Sequence, residues 1–345
     1  MRDPSHHDFA AVTFDGAALT YVDQRRLPHA VERKRAATVD EIEEAIKTLA
    51  VRGAPAIGVF GAYGVAMLRD AIENDEEFHR AAQRIRDARP TAVNLAWAVD
   101  RVLAADDMRA EARTIHREQI AIDIAIADAG LDLIPKNAQI LTHCNTGPIA
   151  TAGGGTALGV IIAAQRAGKH PHVLVDETRP LLQGARLTYF ELREAGVDAT
   201  LQIDAAAGIA MARKSVDLVI VGADRIARNG DTANKIGTYG LAVLAAHHGI
   251  PFYVAAPRST FDFAIGSGAA ITIEERPAHE VTAFGETPVA PPDTHVYNPA
   301  FDVTPGHLIT AFVTEYGVVS PPYHETIPAL ELRPNATTLL GGPCA

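Results

Sequence analysis

Between Gln139 and Ala255 five short apolar runs recur: Gln139-Ile-Leu-Thr, His172-Val-Leu-Val, Thr200-Leu-Gln-Ile, Asp217-Leu-Val-Ile-Val and Pro251-Phe-Tyr-Val-Ala. Helix-length segments at 156–167, 184–195, 205–213 and 237–248 separate them. Strands that pair in parallel need a crossover of a dozen or more residues, so this rhythm predicts βαβ units with right-handed connections. The fold class expected is α/β, with a doubly wound parallel sheet in the C-terminal part. The segment 276–299 holds five prolines and reads as a long loop or arm, and His307 to Val319 is expected to add a last helix and strand.

Upstream of Pro135 the pattern differs. Ala11-Val-Thr-Phe and Ala18-Leu-Thr-Tyr-Val flank Asp15-Gly16, a favoured hairpin turn. Thr38-Val-Asp-Glu41 reads as a capping box opening a helix over roughly 39–50. Residues 55–69 place Gly58, Gly61 and Gly64 three apart in an apolar helical pattern, a small-residue face suited to close helix packing. Further helices are predicted over 76–88, 92–104 and 108–133, with Pro90 and Pro135 marking breaks. Two domains are therefore expected, a β-plus-helical one over 1–135 and an α/β catalytic one over 136–345.

Composition narrows the function. No apolar run approaches the ~18–20 residues of a membrane span. A formal net charge of −11 gives no basic field for a phosphate backbone, which argues against general nucleic-acid binding. The start, Met1-Arg-Asp-Pro-Ser-His-His-Asp, has no apolar signal core, and two distant cysteines, Cys144 and Cys344, make no disulfide framework. A cytoplasmic protein is expected.

In open parallel sheets ligands bind beyond the carboxyl ends of the strands, so the polar residues after each run are the candidates. Thr142-His-Cys-Asn-Thr-Gly147 follows the first run, Asp176-Glu-Thr-Arg179 with Gln183 the second. Gly222-Ala-Asp-Arg-Ile-Ala-Arg-Asn-Gly-Asp-Thr-Ala-Asn-Lys235 follows the fourth. A thiol, a carboxylate and an Asn-Lys pair on one sheet edge supply a proton acceptor, a proton donor and phosphate or oxyanion contacts. Cys144 precedes a Gly-rich helix start whose amides and dipole favour the thiolate; the bland alternative is a small buried hydrophobe. Asp224 closes the apolar Val219-Ile-Val-Gly-Ala, a water-poor setting expected to raise its pKa toward that of an acid catalyst, against the alternative of a simple cap. Asn234-Lys235 reads equally as a solvated loop, tilted toward function by there being six lysines against 25 arginines.

In the N-terminal part, Arg52 and the amides of Gly53 and Ala54 stand at a helix start, where orphan N–H groups bind anions, and Pro55 suits the first turn. Arg89, before Pro90-Thr-Ala-Val-Asn94, could add a phosphate contact. Gly153-Gly-Gly-Thr-Ala-Leu-Gly159 followed by Asp176 imitates a dinucleotide-binding pattern, but the spacing is wrong and the glycines begin about eleven residues after the strand. His6-His7 and His247-His248 lack metal-ligand spacing, so no metal is expected.

Taken together, Arg52-Gly-Ala-Pro-Ala-Ile-Gly58, Arg89-Pro-Thr-Ala-Val-Asn-Leu95, Thr142–Gly147, Asp176–Thr188, Val221–Gly230 and Ala233-Asn-Lys-Ile-Gly-Thr-Tyr239 resemble the methylthioribose-1-phosphate isomerase family. Ser259-Thr-Phe-Asp262, Ile273-Glu-Glu-Arg276 and Asn298-Pro-Ala-Phe-Asp-Val-Thr-Pro305 continue the pattern, in order, from about residue 21 to 323. The superfamily also holds ribose-1,5-bisphosphate and 5-deoxyribose-1-phosphate isomerases and non-catalytic regulatory subunits of a translation-factor exchange complex. The resemblance implies an N-terminal β-plus-helical domain, a Rossmann-like C-terminal domain, a homodimer and no cofactor. It implies Cys144 and Asp224 as the catalytic pair, and Arg52, Gly53, Ala54, Arg89, Gln183, Asn234 and Lys235 around a sugar phosphate. The reaction implied is aldose to ketose. Pro148-Ile149 departs from the Ala or Ser and Leu that generally follow the motif's glycine.

Overall fold

The computed structural model describes residues 10–16, 18–89 and 93–333, with Val93 by its backbone alone. Cys344, His6-His7 and Pro90–Ala92 lie outside the described residues. Two compact units divide the chain: residues up to Ile124 with Thr146–Gly159, and Ala125–Asn145 with Val160–Arg333. Pro135 lies within the second. No helix among the described residues is long and apolar enough to cross a membrane.

The first unit opens with an antiparallel sheet of β1 (Val12–Phe14), β2 (Leu19–Val22) and β3 (Arg33–Ala36) in that order. The sequence did not suggest β3: Arg33-Lys-Arg carries three cations and no apolar alternation, and the strand is fixed by its partner instead. Buried Asp23 at the end of β2 receives hydrogen bonds from Arg25 Nε at 2.8 Å and Arg25 Nη2 at 2.7 Å, and Lys34 Nζ of β3 stands 2.9 Å away. Burial alone would raise the Asp23 carboxyl; the Arg25 and Lys34 bonds outweigh it and hold it well below the usual carboxylate range.

Helices α1 (Val39–Lys47), α2 (Ala54–Ala71), α3 (Asp75–Arg86), α4 (Val93–Leu103) and α5 (Met108–Leu131) follow. The Thr38–Glu41 capping box opens α1 as expected. The central helix is α2, buried on all sides from Ala56 to Leu68. Its glycine face allows the close approach predicted: a Cβ at Gly61 would stand 2.4 Å from Leu95 Cδ1 of α4. Ile42, Ile46, Phe78, Ile85 and Leu95 pack around it with its own Phe60 to form the core.

The short α6 (Pro148–Thr151) belongs to this unit, and the glycine run after it has an internal anion to bind. Fully buried Asp123 of α5 accepts hydrogen bonds from Gly155 N at 3.0 Å and Gln119 Nε2 at 2.8 Å, with Gly154 and Thr151 close by. The amides that would cradle a dinucleotide phosphate are turned on a carboxylate of the chain itself.

The second unit is built on a seven-stranded sheet. Its strands are β4 (Gln139–Thr142), β5 (His172–Asp176), β6 (Asp198–Gln202), β7 (Leu218–Val221), β10 (Phe252–Ala255), β15 (Ala311–Thr314) and β16 (Gly317–Val319), in the order β16-β15-β10-β7-β4-β5-β6. All neighbours pair in parallel except β15 with β16. The six parallel strands thus have the Rossmann-like order, reversing between β4 and β7. Between them run α7 (Ala157–Arg166), a π-helical turn Gly184–Thr188 leading into α8 (Tyr189–Glu194), α9 (Ala207–Ala212) and α10 (Thr238–His248). Phe252, Phe312, Val219, Ile226 and Leu241 fill the core.

A second sheet, unforeseen, has the order β11-β8-β9-β14, from β8 (Arg225–Ala227), β9 (Thr232–Lys235), β11 (Phe261–Asp262) and β14 (Phe301–Thr304). Asn234-Lys235, readable as solvated loop, is therefore strand; the segments are too short and polar for any periodicity to show. The proline-rich stretch is an arm as expected, holding only α11 (His279–Thr282), β12 (Ala283–Phe284) and β13 (Thr287–Pro288). The helix expected between His307 and Val319 is absent: a single 3₁₀ turn precedes β15 and β16, and α12 (Tyr323–Glu331) comes afterwards. The run Ala311-Phe-Val-Thr is buried at every residue, a pattern that strand and helix share.

Burial raises the Asp123 carboxyl to about 6, only partly opposed by its hydrogen bonds. Relative to an unfolded value of about 3.9, this contributes stability that is present at low pH and lost as pH rises through about 6, worth about 2–3 kcal/mol in full. Urea denaturation at pH 4.5 and pH 8 should show the wild type losing about 2 kcal/mol more than Asp123→Asn over that interval. Parallel pH profiles would contradict the assignment.

Candidate active site

The strand order reverses where β4 and β7 lie side by side, with Ile140 opposite Leu218 and Leu141 opposite Val219. The Thr142 hydroxyl locks the pair by donating to Ile220 O at 2.8 Å. Ligand crevices form beyond the carboxyl ends of such a pair. Cys144 follows β4 and Asp224 follows β7, so the expected catalytic residues leave adjacent strands at the reversal.

Cys144 is buried, and its backbone has φ 63°, a left-handed conformation rare for residues other than Gly and Asn. Two threonines hold it. The Cys144 N–H donates to Thr178 Oγ1 at 2.9 Å, and the Thr188 hydroxyl donates to Cys144 O. Thr178 (φ 65°) is itself tied down, its hydroxyl donating to Asp176 O at 3.0 Å and its N–H to Asp204 Oδ1 at 2.7 Å. Backbone strain of this kind costs about 1–3 kcal/mol and persists where surrounding bonds over-determine it.

Asp224 does not sit in the water-poor setting expected; it is exposed. β7 is buried along its length, but the chain leaves that sheet at Gly222 and crosses to the second one. There the Asp224 N–H donates to Ala233 O at 2.9 Å, which places Asp224 beside the strand of Asn234 and Lys235. Asn234 is buried and donates to Thr238 Oγ1 at 2.9 Å. Lys235 donates to Ala300 O at 2.8 Å and lies over the Phe301 ring, 4.3 Å from its centre.

Gln183 is buried with Oε1 lacking a hydrogen-bond partner among the described residues. It shares one small cleft with Lys235, Leu181, Arg276 and Asn298. Arg276 and Asn298 were not singled out individually, though both lie in stretches that carry the family pattern. Arg276 is held by Glu274 and Glu280, whose bonds raise its guanidinium above its already high value. The neighbour of Gln183 explains its placing: a Cβ at Gly184 would stand 1.7 Å from Asp176 O, so only glycine lets the π-helical turn abut the end of β5.

In the first unit, Gly53 (φ 93°) caps α2, and a Cβ there would stand 2.1 Å from Ala150 O. Buried Gln24 fastens the same region, its amide donating to Ile149 O at 3.1 Å and Arg52 O at 3.5 Å. Ala54 opens the helix, so the expected anion-binding amides of Gly53 and Ala54 are at a true helix start. Arg52 and Arg89 are half-buried. A cavity of about 450 Å³ in this unit, lined by Phe14, Tyr63, Arg113, His116, Arg117 and Ile120, contains none of the expected residues.

Among the described residues one group of side chains has metal-ligand chemistry: His143, Asp176 and Asp204 offer atoms within 4.8 Å of one another. Those atoms are already engaged. His143 Nδ1 and Nε2 bond Asp176 and Ile236 O, and the Asp204 oxygens accept from Thr178 N and Arg179 N, both at 2.7 Å. A cation bound to His143 would have to displace one of the two ring bonds.

The sequence matches the Initiation factor 2 subunit family over residues 50–321. It is 50% identical over 329 residues to the methylthioribose-1-phosphate isomerase of Carboxydothermus hydrogenoformans, covering 90% of this chain and 96% of that one. Identity to the enzyme of the same name from Heliobacterium modesticaldum is 51% over 331 residues, with 90% and 96% covered. The chain belongs to the methylthioribose-1-phosphate isomerase family. Solved structures agree: this family member superimposes with TM-score 0.87 on a 5-methylthioribose 1-phosphate isomerase from Pyrococcus horikoshii, at 40% identity over 93% of this chain and 95% of that one. A structure from A. fulgidus named as translation initiation factor eIF-2B, subunit delta, gives 0.86 at 42% identity, covering 93% and 99%.

Gly184→Ala puts a methyl group into backbone with no flexible side chain to yield. We expect it to cost about 3 kcal/mol in urea denaturation, at the upper end of overpacking penalties. A variant with the wild-type midpoint would contradict the close packing of the turn on β5.

Proposed function

We propose that the chain is a cytoplasmic, homodimeric aldose–ketose isomerase that converts 5-methylthioribose 1-phosphate to 5-methylthioribulose 1-phosphate. Identity near 50% across nine-tenths of the chain to relatives named for this substrate carries the reading. The siting of Cys144 and Asp224 at adjacent strand ends supports it, as does a buried acceptor, Gln183 Oε1, left for a sugar hydroxyl. The likeness to the A. fulgidus chain, 42% identical, supplies the fold in common; it stands beside the 40% of the solved isomerase and below the roughly 50% of the curated isomerase relatives.

The anomeric carbon of this substrate carries phosphate, so ring opening cannot begin from a free hemiacetal. An acid must protonate the ring oxygen as C1 gains positive character, and Asp224 takes that part. Because Asp224 is exposed, its acid form has to be favoured by the bound substrate: a phosphate dianion nearby and displaced water both raise a carboxyl's pKa. Hydrogen then passes from C2 to C1 as a proton, removed and returned by the Cys144 thiolate, while the 2-hydroxyl gives its proton to the Asp224 carboxylate, which forms the C2 carbonyl and restores the acid. Arg52, Arg89, Lys235 and the amides of Gly53 and Ala54 are assigned to the phosphate, and Gln183 and Asn234 to hydroxyl groups.

The test compares kcat/KM for ribose 1-phosphates bearing methylthio, hydrogen or phosphate at C5. We expect the methylthio sugar to lead by 10-fold or more; a lead for another sugar would overturn the substrate assignment, and no turnover of any would overturn the activity. In the same assay Asp224→Asn should lower kcat by ~10²-fold or more with KM little changed. Near wild-type turnover would remove Asp224 from the acid role.

A further inference from the structure

Asn145, the residue after the thiol, is buried, and so are Thr188 and Glu191, which its side chain meets. One nitrogen makes both contacts: Asn145 Nδ2 donates to Glu191 Oε2 at 2.6 Å and to Thr188 Oγ1 at 3.2 Å. Thr188 and Glu191 lie three positions apart where the π-helical turn runs into α8, so their side chains leave the helix on one face. A carboxylate oxygen only accepts, so Glu191 takes one N–H of the amide and leaves the other directed at Thr188. A hydroxyl has a single proton. Since its oxygen receives the Asn145 N–H, Thr188 gives that proton to Cys144 O, the second tie on the thiol's backbone. The donors therefore run in one direction, from Asn145 to Thr188 to the Cys144 carbonyl, and Glu191 sets that direction.

We infer that Asn145 and Glu191 are positioning residues for Cys144, acting through the Thr188 hydroxyl. The residue they hold is one that would not stay in place unaided. At φ 63° Cys144 is in the left-handed region, tied at its N–H by Thr178 and at its carbonyl by Thr188. Release of the carbonyl lets the residue relax toward an ordinary backbone conformation, and the side chain swings with it. Misplacement of a reacting group by about 1 Å can cost about 10²-fold in rate. Packing alone does not call for such a chain, because hydrogen-bonded partners replaced together by apolar groups of the same shape can be nearly neutral for stability. The effect on turnover rests on the role proposed above for Cys144, whereas the effect on its backbone does not.

Two nearly isosteric variants of the full chain test this. Thr188→Val removes the hydroxyl and keeps the shape. Asn145→Asp keeps the shape and turns an oxygen toward Thr188, which draws the hydroxyl proton away from Cys144 O. With 5-methylthioribose 1-phosphate each should lower kcat about 10-fold or more and leave KM within about 3-fold, while Thr188→Ser stays near the wild type. The double variant should be no slower than Thr188→Val, and independent losses that multiply would overturn the route through the hydroxyl. Wild-type kcat in both single variants, beside an inactive Cys144→Ser, would overturn the inference. Should Asn145→Asp not fold, Glu191→Gln against Glu191→Leu replaces it: the Gln oxygen still accepts from Asn145, so Gln should restore most of the turnover that Leu loses, and equal losses would overturn the role of Glu191. Crystal structures of the variants supply a readout free of substrate. In Thr188→Val the Cys144 carbonyl should turn and its φ become negative; an unmoved backbone would overturn the inference whatever the turnover. Full activity in Cys144→Ser would overturn the role of the thiol instead.

Discussion

Two threonine hydroxyls hold the backbone of Cys144 in a left-handed conformation, and much of the second unit serves to keep them in place. Thr178 is fixed by Asp176 and Asp204, each at the end of a parallel strand. Thr188 closes the π-helical turn that Gly184 allows to rest on Asp176. Each of these supports is itself buried or backbone-bonded, so the strain at Cys144 is carried by the sheet rather than by a flexible loop. The end of β7 in the same sheet delivers Asp224 and, through the second sheet, Asn234 and Lys235.

The glycine run of the first unit wraps Asp123, a fixed internal carboxylate. The start of α2, with Gly53 and Ala54, is the stretch proposed above for the substrate phosphate. A bonded internal carboxylate marks the glycine run as a packing device, which glycine spacing by itself does not show. It is why a pattern close to a dinucleotide motif belongs to the core of a chain whose relatives are isomerases.

The parallel strands and their helices were legible because burial on both faces writes itself as apolar runs separated by crossover lengths. The positions of Cys144 and Asp224 just beyond adjacent strand ends were legible for a related reason, since the apolar runs mark where those strands stop. The small sheet of β8, β9, β11 and β14 was not: its strands have two to four residues each, and Arg225-Ile-Ala has no alternation to read. The exposure of Asp224 escaped because an apolar strand says nothing of where the chain goes after it ends. The bonding of His143 was invisible, since its partners Asp176 and Ile236 are 33 and 93 positions away. Gln183 came from the family pattern alone; its unpartnered oxygen is a three-dimensional fact.

The account depends most on the thiol at the strand reversal. Stepwise alkylation with iodoacetamide, read by peptide mass spectrometry beside residual isomerase activity, tests it directly, with Cys344 as an internal comparison. Activity should fall in proportion to labelling of Cys144, saturating substrate should slow both together, and labelling of Cys344 should leave turnover unchanged. Full activity in protein whose Cys144 is completely alkylated would contradict the account.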